Sequence, residues 1–540
     1  MVRSPLIDLV HRAYKVAHLS NKSGLPPNEL IERLDQKVSR RRLLYGGLAV
    51  ASAITVTALD SWKDSSAAMA TISPVLVVGA GIAGLTAAYR LTQTGVPVSI
   101  IEARNHIGGR IQSLSNAAGT STIVELGGEF IDSDHTAMLN LVNELGLKTG
   151  DLVASASGLV TNTWYFEGRS VPLAEIVTAF KPLAQQIDKD VASTGNIISY
   201  KSYNQAAQTL DNTSISDYLN RYCQNSTLQQ LIRIAYVAEN GREVDEQSCL
   251  NLLLLIGTGT TIDTFSIYGQ SDQRYQVIGG NQQVPQRLAE RLAGRIETGT
   301  VLESIRTLPD GRYRVSLRAD NRTFDRTYER ILLTLPFSTL RTVRLAVDLP
   351  PVKRRAIKQL GYGTNAKLIT AYQERIWRTH YRSTASVYSD LGFQNTWEST
   401  PFAPGTSGLV TDFTGGRKGL SLGKNTPEAQ AQILLPQLNK IFPGISALRQ
   451  GRAIRAYWPG EVYTRGSYSC LLVGQYTTIV GSQAERVGNL FFAGEHCSLS
   501  APGYMQGGCE TGEAAAQEIL QDLGVATRTY KRFDPKLSHF

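Results

Sequence analysis

The sequence predicts an α/β protein of two domains, and three observations carry that prediction. A strand–turn–helix–strand unit stands near the front of the chain in VLVVGAGIAGLTAAYRLTQTGVPVSIIEARNHIGGR, Val75–Arg110. A mainly helical stretch follows, from about Ala137 to Leu255. Apolar strands then resume and end at a second glycine-rich turn near the C-terminus. The first and last of these features belong to one parallel sheet flanked by helices, a Rossmann-type dinucleotide-binding domain assembled from 71–136, 273–340 and 452–525. The intervening segments, 137–272 and 341–451, make an α+β substrate domain; 1–70 reads as a leader and 526–540 as a tail.

In the opening unit, Val75–Val78 is apolar enough for a buried parallel strand. Gly79 permits the tight turn, Gly81 lets backbone approach a pyrophosphate, and Gly84 lets the helix pack close to the strand. The helix carries Leu85, Ala88 and Leu91 toward a stop at Gly95, and its free N–H groups suit phosphate. Val98–Ile101 is the next strand, and Glu102, 18 residues past Gly84, is spaced to accept hydrogen bonds from ribose hydroxyls. A bare GxGxxG says little; strand, helix and spaced acid together specify a dinucleotide. The loop Arg104–Arg110, with paired Gly108 and Gly109, can wrap the pyrophosphate from its other side.

Length and composition limit the function. The 540 residues are 42% hydrophobic, ample for large cores. Net charge is +9, of which the first 70 residues supply +4, and no basic cluster points to nucleic acid. No zinc-type Cys/His spacing occurs and no metal is expected. The five cysteines are scattered and odd in number, so they define no disulfide framework. Ser39-Arg40-Arg41-Arg42-Leu43-Leu44 precedes 17 uncharged residues, Leu43–Leu59, and then Ala68-Met69-Ala70. That layout reads as a twin-arginine-type export signal, with a transmembrane anchor as the rival reading of the same 17 residues; the signal predicts a periplasmic or lumenal protein with no stable membrane span once it is removed.

Beyond the helical stretch, Tyr275–Ile278 leads through Gly279-Gly280-Asn281 into a helix, Val284–Leu292. Ile296–Ile305 and the stretches after it alternate as strands. Pro350-Pro351 opens a helix to Leu360, Ala366–Tyr372 is a strand, and Thr384–Gln450 completes the second-domain sheet. The last block is Asn489-Leu490-Phe491-Phe492-Ala493-Gly494-Glu495, then Ala501-Pro502-Gly503-Tyr504-Met505-Gln506-Gly507-Gly508 and a helix Cys509–Leu520. Glu495 can bond hydroxyl groups of a bound cofactor, and the helix-start amides can stabilise negative charge.

GxGxxG with EARNHIGGR, closed by FFAGE and GYMQGG, resembles the flavin amine oxidase family over roughly Pro74 to Asp522. That family includes monoamine oxidases, polyamine oxidases and L-amino-acid oxidases. The resemblance implies FAD, with Glu102, Ala103, Arg104, Gly109 and Arg110 around its ribose and pyrophosphate and the backbone of Val301 on its adenine. It places Gly127, Gly128, Glu129, Trp458, Gly494, Glu495, Tyr504 and Met505 about the flavin. Lys367 matches a lysine that holds water against flavin N5, and Tyr468 with Tyr504 matches an aromatic cage. Ser467 stands where monoamine oxidases have the cysteine bearing covalent flavin, so non-covalent FAD is expected. Phe130 stands near where snake-venom-type L-amino-acid oxidases have a carboxylate-binding arginine, and Glu129 reads either as a contact for a cationic substrate or as a salt-bridged loop acid.

The implied reaction is oxidation of the C–N bond of a primary amine or polyamine to an imine, then a carbonyl compound, with O2 reduced to H2O2. The alternatives are an L-amino-acid oxidase, a quinone-linked L-amino-acid dehydrogenase, and a non-catalytic secreted flavoprotein; a homodimer is compatible with each. Reduction of the flavin by an amine separates the catalysts from the last.

Overall fold

A computed structural model describes residues 73–195 and 197–525. The expected export signal and the tail 526–540 lie outside the described residues. Three chain segments meet in a five-stranded parallel sheet, ordered Ile296–Glu297, Val98–Ile101, Val75–Val78, Ile331–Leu333 and Leu490–Phe492. Register places Val75 beside Val98, Leu76 beside Ile331, and Ile331 beside Leu490. The strands Val75–Val78, Ile331–Leu333 and Leu490–Phe492 are wholly buried, as their unbroken Val/Ile/Leu/Phe runs require of a sheet covered on both faces, while the edge strand Ile296–Glu297 is half-buried.

One face carries the helix Ile82–Gln93 and, against it, the long helix Met505–Asp522. Glycines bring the two together: a Cβ on Gly508 would lie 2.6 Å from Ile82 Cγ2, and one on Gly512 would lie 2.4 Å from Ala83 O. This closing helix begins at Met505, a full turn before the expected Cys509. Glycine disfavours helix interiors, but close packing on Ile82 and Ala83 overrides that preference. The other face of the sheet shares a core with a four-stranded sheet whose order is Arg322–Tyr328, Tyr313–Ala319, Val301–Thr307 and Arg344–Ala346.

A seven-stranded sheet forms the second part, ordered Arg449–Tyr457, Ala366–Tyr372, Gly408–Thr414, Asn395–Glu398, Val387–Ser389, Thr163–Phe166 and Arg169–Ser170. Two of its strands depart from expectation. Arg449–Tyr457 crosses the boundary drawn at 451/452, because its half-buried, arginine-rich pattern is that of an edge strand. Thr163–Phe166 interrupts the stretch read as mainly helical; its Trp164 and Phe166 alternate into the core. The helices Leu173–Thr194, Ile215–Tyr222 and Ser226–Asn240 pack beside them. All five cysteines are buried, and none of them is joined in a disulfide. Among the described residues, no helix is long and apolar enough to cross a membrane.

Candidate active site

The strand ends of the parallel sheet open on a cavity of about 410 Å³. Gly79, Gly81, Glu102, Ala103, Arg104, Gly109, Arg110, Val301, Gly494, Glu495, Tyr504 and Met505 all line it. Residues more than 400 positions apart thus share one wall because their strands are neighbours in the sheet.

The opening turn is built for close approach. A Cβ on Gly84 would fall 2.0 Å from Gly79 O, so that glycine sets helix against strand rather than lining the cavity. A Cβ on Gly81 would meet no protein atom within 4 Å; the space beside it is cavity. Thr334 secures the turn by donating its hydroxyl to Val78 O at 2.8 Å. Glu102 is buried and accepts from Ala80 N and Arg104 N, each at 2.9 Å, leaving carboxylate lone pairs for a diol. Two buried polar atoms among the lining residues have no hydrogen-bond partner, Arg104 Nη2 and Thr339 Oγ1. A cationic donor, an unfilled backbone cradle at a helix start and a ribose-ready carboxylate fit a dinucleotide diphosphate.

At the opposite end of the lining, Arg110 Nη1 donates to Glu495 Oε1 and to Ser467 O, each at 2.8 Å. Glu495 also accepts from Ser469 N at 3.2 Å, Ser469 Oγ at 2.7 Å and Gly503 N at 2.8 Å. Its two oxygens therefore hold four protein donors, and the side chain expected to meet ribityl hydroxyls is first an organiser of this wall. Burial pushes the Glu495 carboxyl up in pKa, but Arg110, His496 and Ser469 outweigh it and hold the group below the usual range. The neighbouring His496 is buried, and desolvation brings its pKa down to about 4.

Tyr504 lines the cavity with His135 edge-on to its ring, centroids 4.9 Å apart. Tyr468 is buried and is not among the residues lining the cavity; its hydroxyl donates to Glu239 O. Asp132, Asp134 and His135 bring potential ligand atoms within 4.8 Å of one another. The His135 ring is already engaged there: Nδ1 accepts from Asp132 N at 3.0 Å, and Nε2 lies 3.5 Å from Asp132 Oδ2.

Lys367, Gly127, Gly128, Glu129 and Trp458 form a second group adjoining Arg110. Gly128 N donates to Arg110 O at 3.0 Å, and Trp458 Nε1 donates to Leu126 O at 3.0 Å. The Lys367 ammonium donates to Glu125 O at 2.8 Å, Gly127 O at 2.9 Å and Glu129 Oε2 at 2.8 Å. Of the two readings of Glu129, the salt-bridged acid is the one the structure displays. Its other oxygen accepts from Trp397 Nε1 at 3.1 Å, and Trp397 in turn packs on Phe130 and Phe413.

Three participants were not singled out from the sequence. Trp397 had no local signal. Asn281 was visible only as part of a turn, yet its side chain donates to Gly128 O at 3.0 Å and Glu129 O at 2.7 Å. Glu125 accepts from Asn281 N at 2.7 Å and Ser113 Oγ at 2.9 Å, and burial raises its pKa to about 7 against those bonds.

Comparison with known proteins agrees with this geometry. Residues 82–520 match the family model for flavin-containing amine oxidoreductases. The chain is 25% identical over 484 residues to amine oxidase [flavin-containing] A of Equus caballus, covering 83% of this chain and 85% of that protein. It is 25% identical over 467 residues to the B enzyme of Homo sapiens, covering 83% and 86%. The fold is similar to that of wild-type putrescine oxidase bound to putrescine, with a TM-score of 0.70 at 20% identity over 83% of this chain and 99% of that one. Cyclohexylamine oxidase from Brevibacterium oxydans IH-35A gives 0.72 at 20% identity over 84% and 100%.

Proposed function

The chain belongs to the flavin-containing amine oxidoreductase family, and from that premise we propose that it oxidises a small primary amine or polyamine with FAD held non-covalently. FAD supplies the chemistry of accepting a hydride equivalent from the carbon that bears the nitrogen. The chain's own residues bind and orient. The Gly79–Gly84 turn, the helix start and Arg104 hold the diphosphate; Glu102 takes the ribose; the backbone at Val301 meets the adenine. Tyr504, braced by His135, offers an aromatic face to a neutral amine. Tyr468, buried and fixed through Glu239 O, stands where the family's other cage ring does. Water hydrolyses the released imine to a carbonyl compound and ammonia or an amine, and O2 is the electron acceptor, giving H2O2.

The observation that carries the amine reading is Phe130. A carboxylate-bearing substrate needs a cationic partner, and this position instead presents a buried ring packed 5.8 Å from Trp397. Non-covalent attachment is supported by Ser467, which has no thiol and donates its hydroxyl to Asn365 Oδ1 at 2.7 Å. Export through the twin-arginine-type leader is part of the same proposal, supported by Ser39–Leu44 and Ala68–Ala70; cell fractionation of the full chain checks it.

The decisive experiment is anaerobic titration of the yellow protein with primary amines, polyamines and L-amino acids, followed by air and a peroxide assay. Bleaching by amines, with rapid recovery and peroxide, is the expected result. Bleaching by L-amino acids alone overturns the substrate class, and slow recovery without peroxide replaces oxygen with a quinone. A purified chain that binds no FAD overturns the whole reading.

A further inference from the structure

The Lys367 ammonium carries three N–H donors, and the protein takes all three through Glu125 O, Gly127 O and Glu129 Oε2. The two partners of its ion pair are sealed from solvent, with side chains only 2% and 1% exposed. Burying such a pair costs about as much in desolvation as the attraction returns, so fold stability does not explain its presence. Its placement does. The Glu125–Glu129 loop that holds the ammonium is bonded to Arg110 through Gly128 N, and Arg110 lies on the cavity wall with Glu495 and Tyr504. A positive charge and its compensating negative charge therefore sit one loop behind the end of the cavity assigned to the flavin. Trp397 and the carbonyl oxygens hold both in fixed positions.

We propose that Glu129 is a positioning residue that lowers the reduction potential of the bound flavin by cancelling the charge of Lys367. Reduction of FAD by two electrons and one proton leaves an anion at neutral pH. An uncompensated ammonium beside it would stabilise that anion in this water-excluded setting, whereas one neutralised by Glu129 contributes little. Lys367 is thus a charge held in reserve, and the residue that meters it is the acid 238 positions earlier in the chain. This inference rests on the reading of the cavity as the FAD site.

The test is the equilibrium midpoint potential of FAD bound to the full chain, measured by reductive titration against reference dyes. Glu129→Gln keeps the shape and loses the charge, and is expected to raise the potential by about 30 mV or more, the equivalent of a tenfold shift for a two-electron couple. Lys367→Met is expected to lower it. The double variant should return to within the wild-type range, since neither charge remains. An unchanged potential in Glu129→Gln overturns the inference. So does a rise that persists in the Lys367→Met background, because the effect would then not pass through the lysine. Should Glu129→Gln not retain flavin, Glu129→Ala is read in the same direction with the same overturning result. A wild-type chain without flavin would overturn the proposed function itself, a distinguishable failure.

Discussion

Gly81 and Gly84, three residues apart in one turn, serve different ends, and substitution separates them. Alanine at 84 would drive a methyl into Gly79 O, so it is expected to cost about 3 kcal/mol or more of stability, seen as a lowered thermal midpoint with or without FAD. Alanine at 81 meets no protein atom and has an extended backbone that alanine accepts, so apoprotein stability should be unchanged. Its methyl instead occupies the space where phosphate approaches. Loss of one charge-assisted hydrogen bond there, about 1.5–3 kcal/mol, weakens FAD binding about tenfold or more, measurable by flavin fluorescence titration. Asp412 makes a second residue-scale case, on a strand beside Lys367 but not among the residues lining the cavity. Burial raises its carboxyl pKa from 3.8 to about 7, opposed only in part by Lys418, and its Oδ1 has no hydrogen-bond partner. Below about pH 4 both folded and unfolded chains hold that proton. Between pH 4 and 7 only the folded chain keeps it, so stability falls as pH rises through that window and stays reduced above it. Asp412→Asn should remove this penalty, by at most about 4 kcal/mol. Urea unfolding at pH 5 and pH 8 should show the larger gain at pH 8.

At the scale of elements, the pairing of the first and last helices is the contact most sensitive to side-chain size. Gly512 lies against Ala83 backbone, and Gly512→Val is expected to separate the two helices and cost about 2–3 kcal/mol, checked by calorimetry of the holoprotein. The same contact shows what a sequence reveals and what it conceals. Gly79, Gly81, Gly84 and Glu102 were legible because their chemistry depends on spacing within a single turn and strand. The strand Ala366–Tyr372 was legible with its limits, but not the destination of Lys367, since its ion-pair partner lies 238 residues away and nothing local marks it. Glu495 was identified as a cavity acid, whereas the four donors filling its oxygens come from Arg110, Ser469 and Gly503, which only the folded chain assembles. The strand Arg449–Tyr457 was not foreseen, and a domain boundary was drawn through it at 451/452, because an edge strand needs no continuous apolar run.

For the whole molecule, the parallel sheet cannot be completed from any one segment. Its central strands come from the front and middle of the chain, while Leu490–Phe492 and the helix Met505–Asp522 come from the end. A chain ending at residue 485 should therefore bind no FAD, although it retains the whole Val75–Arg110 unit; flavin content of the soluble fraction checks this.

The order of strands in that sheet also sets a clock on biosynthesis. Ile331–Leu333 leaves the ribosome well before its partner Leu490–Phe492. At about 5–20 residues per second, the intervening stretch takes roughly eight to thirty seconds to translate. Throughout that interval the nascent chain carries an apolar strand edge with no neighbour, the kind of surface that invites aggregation or a chaperone. Nucleotide capture thereby waits until Leu490–Phe492 and the helix Met505–Asp522 have been made, and the chain carries a half-built, sticky sheet until then.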